Sequence, residues 1–258
     1  MTTRIARTLL ILILWLSTPS SLAMAQTGEK LLLRGKNQTL QLYGPRDGDP
    51  VIVSSGDGGW IHLGPQVADM LAARGFFVVG FDSKAYLESF TSGTSALSTT
   101  DVPADYRTLL KAAAANSSRK PILIGVSEGA ALSLLAATDA ATKAMVSGVI
   151  GLGLGNRNEL GWRWKDAMIY LTHGIPNEPT FSAREIAPRL APVPLGVINS
   201  THDEYVPAGE VDLIMAAAGN PKRLWMIDAA DHRFSNKPVE LAQCLAEALD
   251  WVRQNAPR

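Results

Sequence analysis

Gly125-Val126-Ser127-Glu128-Gly129 sets a serine between the apolar run P-I-L-I and an Ala/Leu-rich stretch. A serine on a tight strand-to-helix turn has its hydroxyl held clear of the sheet, and the turn leaves little room for neighbouring side chains. A hydroxyl is a weak nucleophile until a base takes its proton, and that base needs a carboxylate to hold its tautomer. The chain has only four histidines. His232 lies in A-D-H-R-F, after the apolar R-L-W-M-I-D and before the final amphipathic stretch, which makes it the candidate base. Asp203, in T-H-D-E-Y-V-P after V-P-L-G-V-I-N-S, is the candidate acid. Asp228 and Asp231 compete for that role. Asp203 is preferred because a separate loop can approach the imidazole from its far side. His202 reads as a solvated loop residue, and neither His62 nor His173 has the placement of a base.

Acyl transfer also needs donors for the oxyanion of its tetrahedral intermediate. The loop S-S-G-D-G-G-W, Ser54 to Trp60, follows the first apolar strand of the core. Its place and that of the serine predict the main-chain N–H groups of Asp57 and Glu128 as the two donors. Trp60, His62, Tyr86, Trp162 and Trp164 are candidates for the substrate wall. If the side chains of Asp57, Glu128 and Glu204 face the mouth, they favour a cationic substrate. G-L-G-L-G-N, Gly151 to Asn156, resembles a dinucleotide fingerprint but has asparagine where the third glycine belongs, so no nucleotide cofactor is expected. No His, Cys and carboxylate cluster has metal-ligand spacing, and no metal is expected.

The elements that must position these groups follow from periodicity. K-L-L-L-R-G and Q-T-L-Q-L-Y-G read as strands joined by a Gly-Lys-Asn turn. V-I-V-S-S, F-F-V-V-G-F, P-I-L-I-G-V, S-G-V-I-G-L-G, V-P-L-G-V-I-N-S and R-L-W-M-I-D read as buried strands. Amphipathic helices fall between them, one at Leu63–Leu71 with Pro65 in its first turn and Gly75 as its stop, another at Val102–Ala113. The alternation implies an α/β fold with a mostly parallel central sheet and helices on both faces. Residues 155–192 break the rhythm with aromatics and a Pro-rich stretch. They are either a short lid-like insertion or a helix packed on the sheet edge.

The 258 residues are 47% apolar and 19% charged, in the range of a globular domain, and 24 basic residues balance 24 acidic ones. A neutral balance gives no reason to expect nucleic acid as a partner. Arg4 and Arg7, the run L-L-I-L-I-L-W-L and Ala23-Met24-Ala25 have the layout of a cleavable signal peptide. Cleavage is expected between Ala25 and Gln26, leaving 26–258 as one α/β domain of formal charge −2 in the periplasm or outside the cell. The apolar run is too short to span a bilayer, so no stable membrane anchor is expected after cleavage. Cys244 is the sole cysteine and cannot form an internal disulfide; its leucine and alanine neighbours at helical spacing suggest a buried, inert thiol.

Together these residues resemble the α/β-hydrolase superfamily over nearly the whole expected mature chain. A narrower likeness is to exported virulence-associated hydrolases of the VirJ and AcvB type. It is carried by S-G-D-G-G-W (Ser55 to Trp60), by V-G-F-D-S followed closely by Tyr86, and by the serine loop ending in Gly129-Ala130. The resemblance implies an α/β-hydrolase fold, Asp57 on the oxyanion loop and Ser127 as nucleophile. It also implies an ester substrate, aminoacylated phosphatidylglycerol being the one associated with AcvB-type members. Past the serine, the Trp162 and Trp164 segment and the D-E-Y-V-P loop look more like α/β hydrolases in general. The expected partner is a small-molecule or lipid ester. A peptidase with the same three residues, or a non-catalytic envelope adaptor on this fold, are the other readings; oligomeric state is left open.

Overall fold

The computed structural model describes residues 27–163 and 178–257. The described residues begin with an antiparallel hairpin, β1 (Thr27–Leu33) and β2 (Lys36–Tyr43), turning at Arg34 and Gly35. Six further strands join it in one sheet. They are β3 (Pro50–Ser54), β4 (Phe77–Phe81), β5 (Ile122–Val126), β6 (Gly148–Leu152), β9 (Leu195–Ser200) and β10 (Lys222–Ile227). The order across the sheet is β1-β2-β4-β3-β5-β6-β9-β10, and every pair from β4 to β10 is parallel. Two short strands, β7 (Arg157–Glu159) and β8 (Thr180–Ser182), form a separate antiparallel ribbon.

Strand alternation divides the core into two layers. Ile52, Leu123, Val149 and Val197 face one side of the sheet. Val51, Val53, Ile124, Ile150 and Ile198 face the other. The second layer is covered by α1 (Leu63–Ala72) and by α8 (Pro238–Asn255), through Val67, Leu71, Leu241, Leu245 and Leu249. The first is covered by α2 (Ser83–Phe90), α3 (Asp101–Ala113), α4 (Glu128–Thr138) and α7 (Ala208–Ala217). Two one-turn helices, α5 (Ala140–Lys143) and α6 (Ala183–Ile186), and the 3-10 turn Ala187–Leu190 complete the described elements. Fully burying a Val, Leu or Ile side chain is worth about 1.5–3 kcal/mol. Strands buried on both faces thus need no alternation of polarity, which is why they appear in sequence as unbroken apolar runs.

The expected mostly parallel sheet with helices on both faces is the one found. Sequence periodicity passed over α2, whose start is fixed by Asp82: its carboxylate accepts the Ala85 N–H at 3.0 Å. The flanks of the 155–192 segment pack on the body, burying Leu160, Trp162, Phe181, Ile186 and Leu190. Arg163 and Glu178 pair where the two flanks meet. Trp164 and His173 lie outside the described residues, as does the expected signal peptide. Cys244 is half-buried rather than buried, packed against the second core layer, and burial pushes its thiol up.

Candidate active site

Four parallel strands deliver the candidate residues to one rim of the sheet. β3 runs into the Ser54–Trp60 loop, β5 into Ser127, β9 into Asp203 and β10 into His232. All lie beyond the carboxyl ends of their strands, where open parallel sheets bind ligands.

Ser127 links β5 to α4 with φ 50° and ψ −119°, a conformation a non-glycine residue adopts only where its surroundings enforce it. Its N–H donates to Leu152 O at 2.8 Å. Gly125 and Gly129 make the turn possible by close packing. A Cβ on Gly125 would run into the Gly129 and Ala130 main chain, and one on Gly129 into the carbonyls of Ser54 and Ser55. Beneath the turn, Ser54 Oγ and Tyr106 OH hydrogen-bond at 2.8 Å, with Ser133 Oγ 3.5 Å from Ser54 Oγ. Burial pushes the Tyr106 phenol up to about 12 against these hydrogen bonds.

His232 Nδ1 lies 2.7 Å from Asp203 Oδ2, and the aspartate side chain has no exposed surface. The other oxygen, Asp203 Oδ1, accepts the N–H groups of Tyr205 at 2.9 Å and Val206 at 2.8 Å. With Asp203 as acceptor Nδ1 carries a proton, so in the neutral ring the lone pair is on Nε2. The imidazole is further fixed by the edge of Tyr205, ring centroids 5.4 Å apart, and by the His232 N–H donating to Glu204 Oε2 at 2.9 Å. Asp228 and Asp231 are engaged elsewhere, with Thr201 and with Ser235 respectively.

Ser127 and His232 open into one cavity of about 380 Å³. Asp57, Ile61, His62, Lys84, Trp162, Tyr205 and Arg233 also line it. The loop bearing Asp57 is pinned from behind, since Trp60 N–H donates to Asp82 Oδ2 at 3.2 Å and Ser83 N–H to Ser55 Oγ at 3.1 Å. Burial raises the Asp57 carboxyl, opposed by the charge of His232, the N–H groups of Asp57 and Gly58, and Lys84. The Glu128 carboxyl is raised further, by burial first and by Asp57 second. Glu128 keeps some accessible surface, and its Oε1 accepts the Glu159 N–H at 2.9 Å. That oxygen is therefore tied to β7.

Of the three acidic side chains expected to shape the mouth, only Asp57 is part of the cavity wall; Glu128 is tied to β7 and Glu204 to the His232 main chain. His62 and Trp162 line the cavity. Tyr86 does not: it is fully buried and donates to Asp105 Oδ2 at 2.7 Å, beside Arg34. Trp60 packs under Gly80, donates from Nε1 to Tyr43 OH at 3.1 Å and is absent from the wall. Sequence reasoning passed over Lys84, Tyr205 and Arg233 as wall residues. It also passed over Gly153, where a Cβ would collide with the His232 ring and φ is +61°. The G-L-G-L-G-N string thus owes a glycine to the imidazole. Its Asn156 ties β8 to this loop, Oδ1 accepting from Ser182 Oγ at 2.8 Å and Arg184 N at 3.0 Å.

Comparison with known proteins agrees with this architecture. Residues 49–200 match the family described as bacterial virulence protein (VirJ). No curated protein matches the chain in sequence. Among solved structures, an α/β hydrolase from Penicillium sp. sh18 superposes with TM-score 0.64 at 14% identity, over 90% of this chain and 99% of that one. The esterase domain of a Rhodothermus marinus protein gives TM-score 0.61 at 18% identity, over 90% and 99% of the two chains. An α/β serine hydrolase from Xanthomonas campestris, described as having no lid, gives 0.58 at 20% identity, over 90% and 96%. At such identities the likeness is one of fold.

Proposed function

Because the chain belongs to the VirJ family of bacterial virulence proteins and has an α/β-hydrolase fold, we propose that it is an exported serine hydrolase cleaving a carboxylic ester through an acyl-enzyme on Ser127. The observation that carries this reading is the 2.7 Å His232–Asp203 hydrogen bond at a cavity shared with a serine held at φ 50°.

In the proposed cycle His232 Nε2 takes the Ser127 proton as Oγ attacks the ester carbonyl. Asp203 keeps the imidazole in the required tautomer and offsets the charge it gains. The main-chain N–H groups of Asp57 and Glu128, the latter at the start of α4, receive the oxyanion. Collapse of the intermediate passes the proton from His232 to the leaving alcohol. Water, deprotonated by the same imidazole, then releases the acid and restores Ser127. His62 and Trp162 contact the substrate. Aminoacylated phospholipid is one ester consistent with the family likeness, and export rests on the signal-like first 25 residues. Among the described residues no helix is long and apolar enough to cross a membrane.

The test is hydrolysis of p-nitrophenyl butyrate by purified protein, with Ser127→Ala and His232→Gln alongside. Each variant should lose on the order of 10⁴-fold or more in kcat while staying folded. A Ser127→Ala protein that keeps the wild-type rate would remove serine catalysis from consideration.

A further inference from the structure

Two cations stand in the wall of the cavity that holds Ser127 and His232, and neither is used by the proposed cycle. They are Lys84, in the first turn of α2, and Arg233, next to the proposed base. Lys84 Nζ lies 4.3 Å from the centroid of the Trp162 ring, which holds the ammonium beside the cavity. Among the described residues Asp57 is the only carboxylate in the wall, and burial favours its neutral form. The Asp57 charge, when present, is shared between His232 and Lys84. Arg233 is solvent-exposed at the mouth, with its charge also felt by Asp231. Among the described residues the rest of the wall is His62, Tyr205, glycine main chain and the apolar Ile61, Leu63 and Val126.

We propose that Lys84 and Arg233 form an anion subsite, so that the preferred substrate is an ester carrying a carboxylate or phosphate within reach of the cavity wall. This rests on the serine-hydrolase reading and extends it to substrate class. The expectation of a cationic substrate is replaced, because two of the three carboxylates behind it are engaged outside the wall while two cations lie within it. A basic wall in a partly enclosed cleft raises the local concentration of an anionic substrate, and a charge-assisted hydrogen bond from a guanidinium or ammonium fixes its register. The cavity, about 380 Å³, is of the size of a small-molecule site.

The experiment compares kcat/KM for charge-matched esters on the purified full chain. One arm puts the charge on the acyl side, with p-nitrophenyl butyrate, mono-p-nitrophenyl glutarate and p-nitrophenyl 4-(trimethylammonio)butyrate. The other puts it on the alcohol side, with the butyryl esters of glycerol and of glycerol phosphate. The expected result is a preference for the anionic ester in one arm, which also tells whether the subsite serves a carboxylate on the acyl side or a phosphate on the alcohol side. The anionic-to-neutral ratio should fall by about tenfold or more in a Lys84→Gln/Arg233→Gln double variant. Should that variant not fold, the wild-type ratio is followed as salt shortens the Debye length to a few ångströms; the preference must shrink. A ratio of one or less in both arms, or a preference that neither the variant nor salt alters, overturns the subsite and leaves the hydrolase reading standing. If no ester is turned over, the hydrolase reading itself fails and the subsite with it.

Discussion

Gly129→Ala perturbs the turn that carries Ser127 without touching any group proposed to react. A Cβ there would sit 2.2 Å from Ser55 O, 2.4 Å from Ser54 O and 2.7 Å from the Ser54 carbonyl carbon. Ordinary contact begins near 3.4 Å, so about 1.2 Å of separation must be found. All three atoms are main chain at the end of β3, so no side chain can rotate aside. Overpacking of this kind costs ~1–3 kcal/mol, and a clash against main chain belongs at about 3 kcal/mol. In a domain of this size each kcal/mol moves Tm by ~2–4 °C, giving a fall of about 6–12 °C. The strain passes to Ser127 and to the loop bearing Asp57, and a misplacement of ~1 Å costs about 10²-fold in rate. Tm by circular dichroism and initial rates on p-nitrophenyl butyrate read both effects. Gly209→Ala, in α7 with no atom within 4 Å of the added methyl, is the control. It should raise stability by about 0.4–1 kcal/mol. A Gly129→Ala protein with wild-type Tm and rate would refute the close packing of the Ser127 turn on the Ser54–Trp60 loop.

Three other perturbations test separate parts. Asp203→Asn keeps acceptors for Tyr205 and Val206 but presents an amide to Nδ1, so kcat should fall on the order of 10⁴-fold with the protein folded; a loss below tenfold would point to another carboxylate. Glu128→Gln keeps the acceptor for Glu159 and removes the charge. Since burial and Asp57 raise the Glu128 carboxyl, folding favours its protonated form. That stabilisation is complete below the ordinary value of 4.5 and is lost as pH rises through the raised folded value. Thermal melts from pH 4 to pH 8 should therefore show the variant gaining on the wild type as pH rises; a constant or reversed difference would contradict the buried carboxyl. Tyr106→Phe removes the buried partner of Ser54 and should cost about 1 kcal/mol, or ~2–4 °C in Tm; no change would mean the Ser54–Tyr106 bond adds nothing.

Much of the fold was legible because parallel strands buried on both faces leave apolar runs that turn residues punctuate. The proposed reacting groups were legible for a related reason: each follows such a run, and strand ends are where a parallel sheet exposes side chains together. What escaped was set by packing across elements. Tyr86 looked like a wall residue on its motif, but nothing in its local sequence announces the Arg34–Asp105 pair from the hairpin and α3 that takes it into the core. Trp60 likewise ends the Gly-rich Ser54–Trp60 loop in sequence yet turns back under Gly80. Glu128 could be placed after Ser127 by the motif, but its hydrogen bond to Glu159 needs α4 and the β7–β8 ribbon folded together. Lys84 and Arg233 carried no signal, because a single cation on a loop or first helical turn is ordinary until a cavity is known to face it. Gly153 did leave one, a glycine-rich string after β6 whose register fits no nucleotide loop, and its cause is the imidazole packed against it.

An activated Ser127 is the centre of the proposal, and its reaction with a fluorophosphonate tests it most directly. The purified protein should take up one equivalent of probe, mapped to the peptide carrying Ser127, and lose the label in Ser127→Ala and most of its labelling rate in His232→Gln. No labelling of a folded protein, or a label on another residue that survives Ser127→Ala, would contradict an assembled Ser127–His232–Asp203 site.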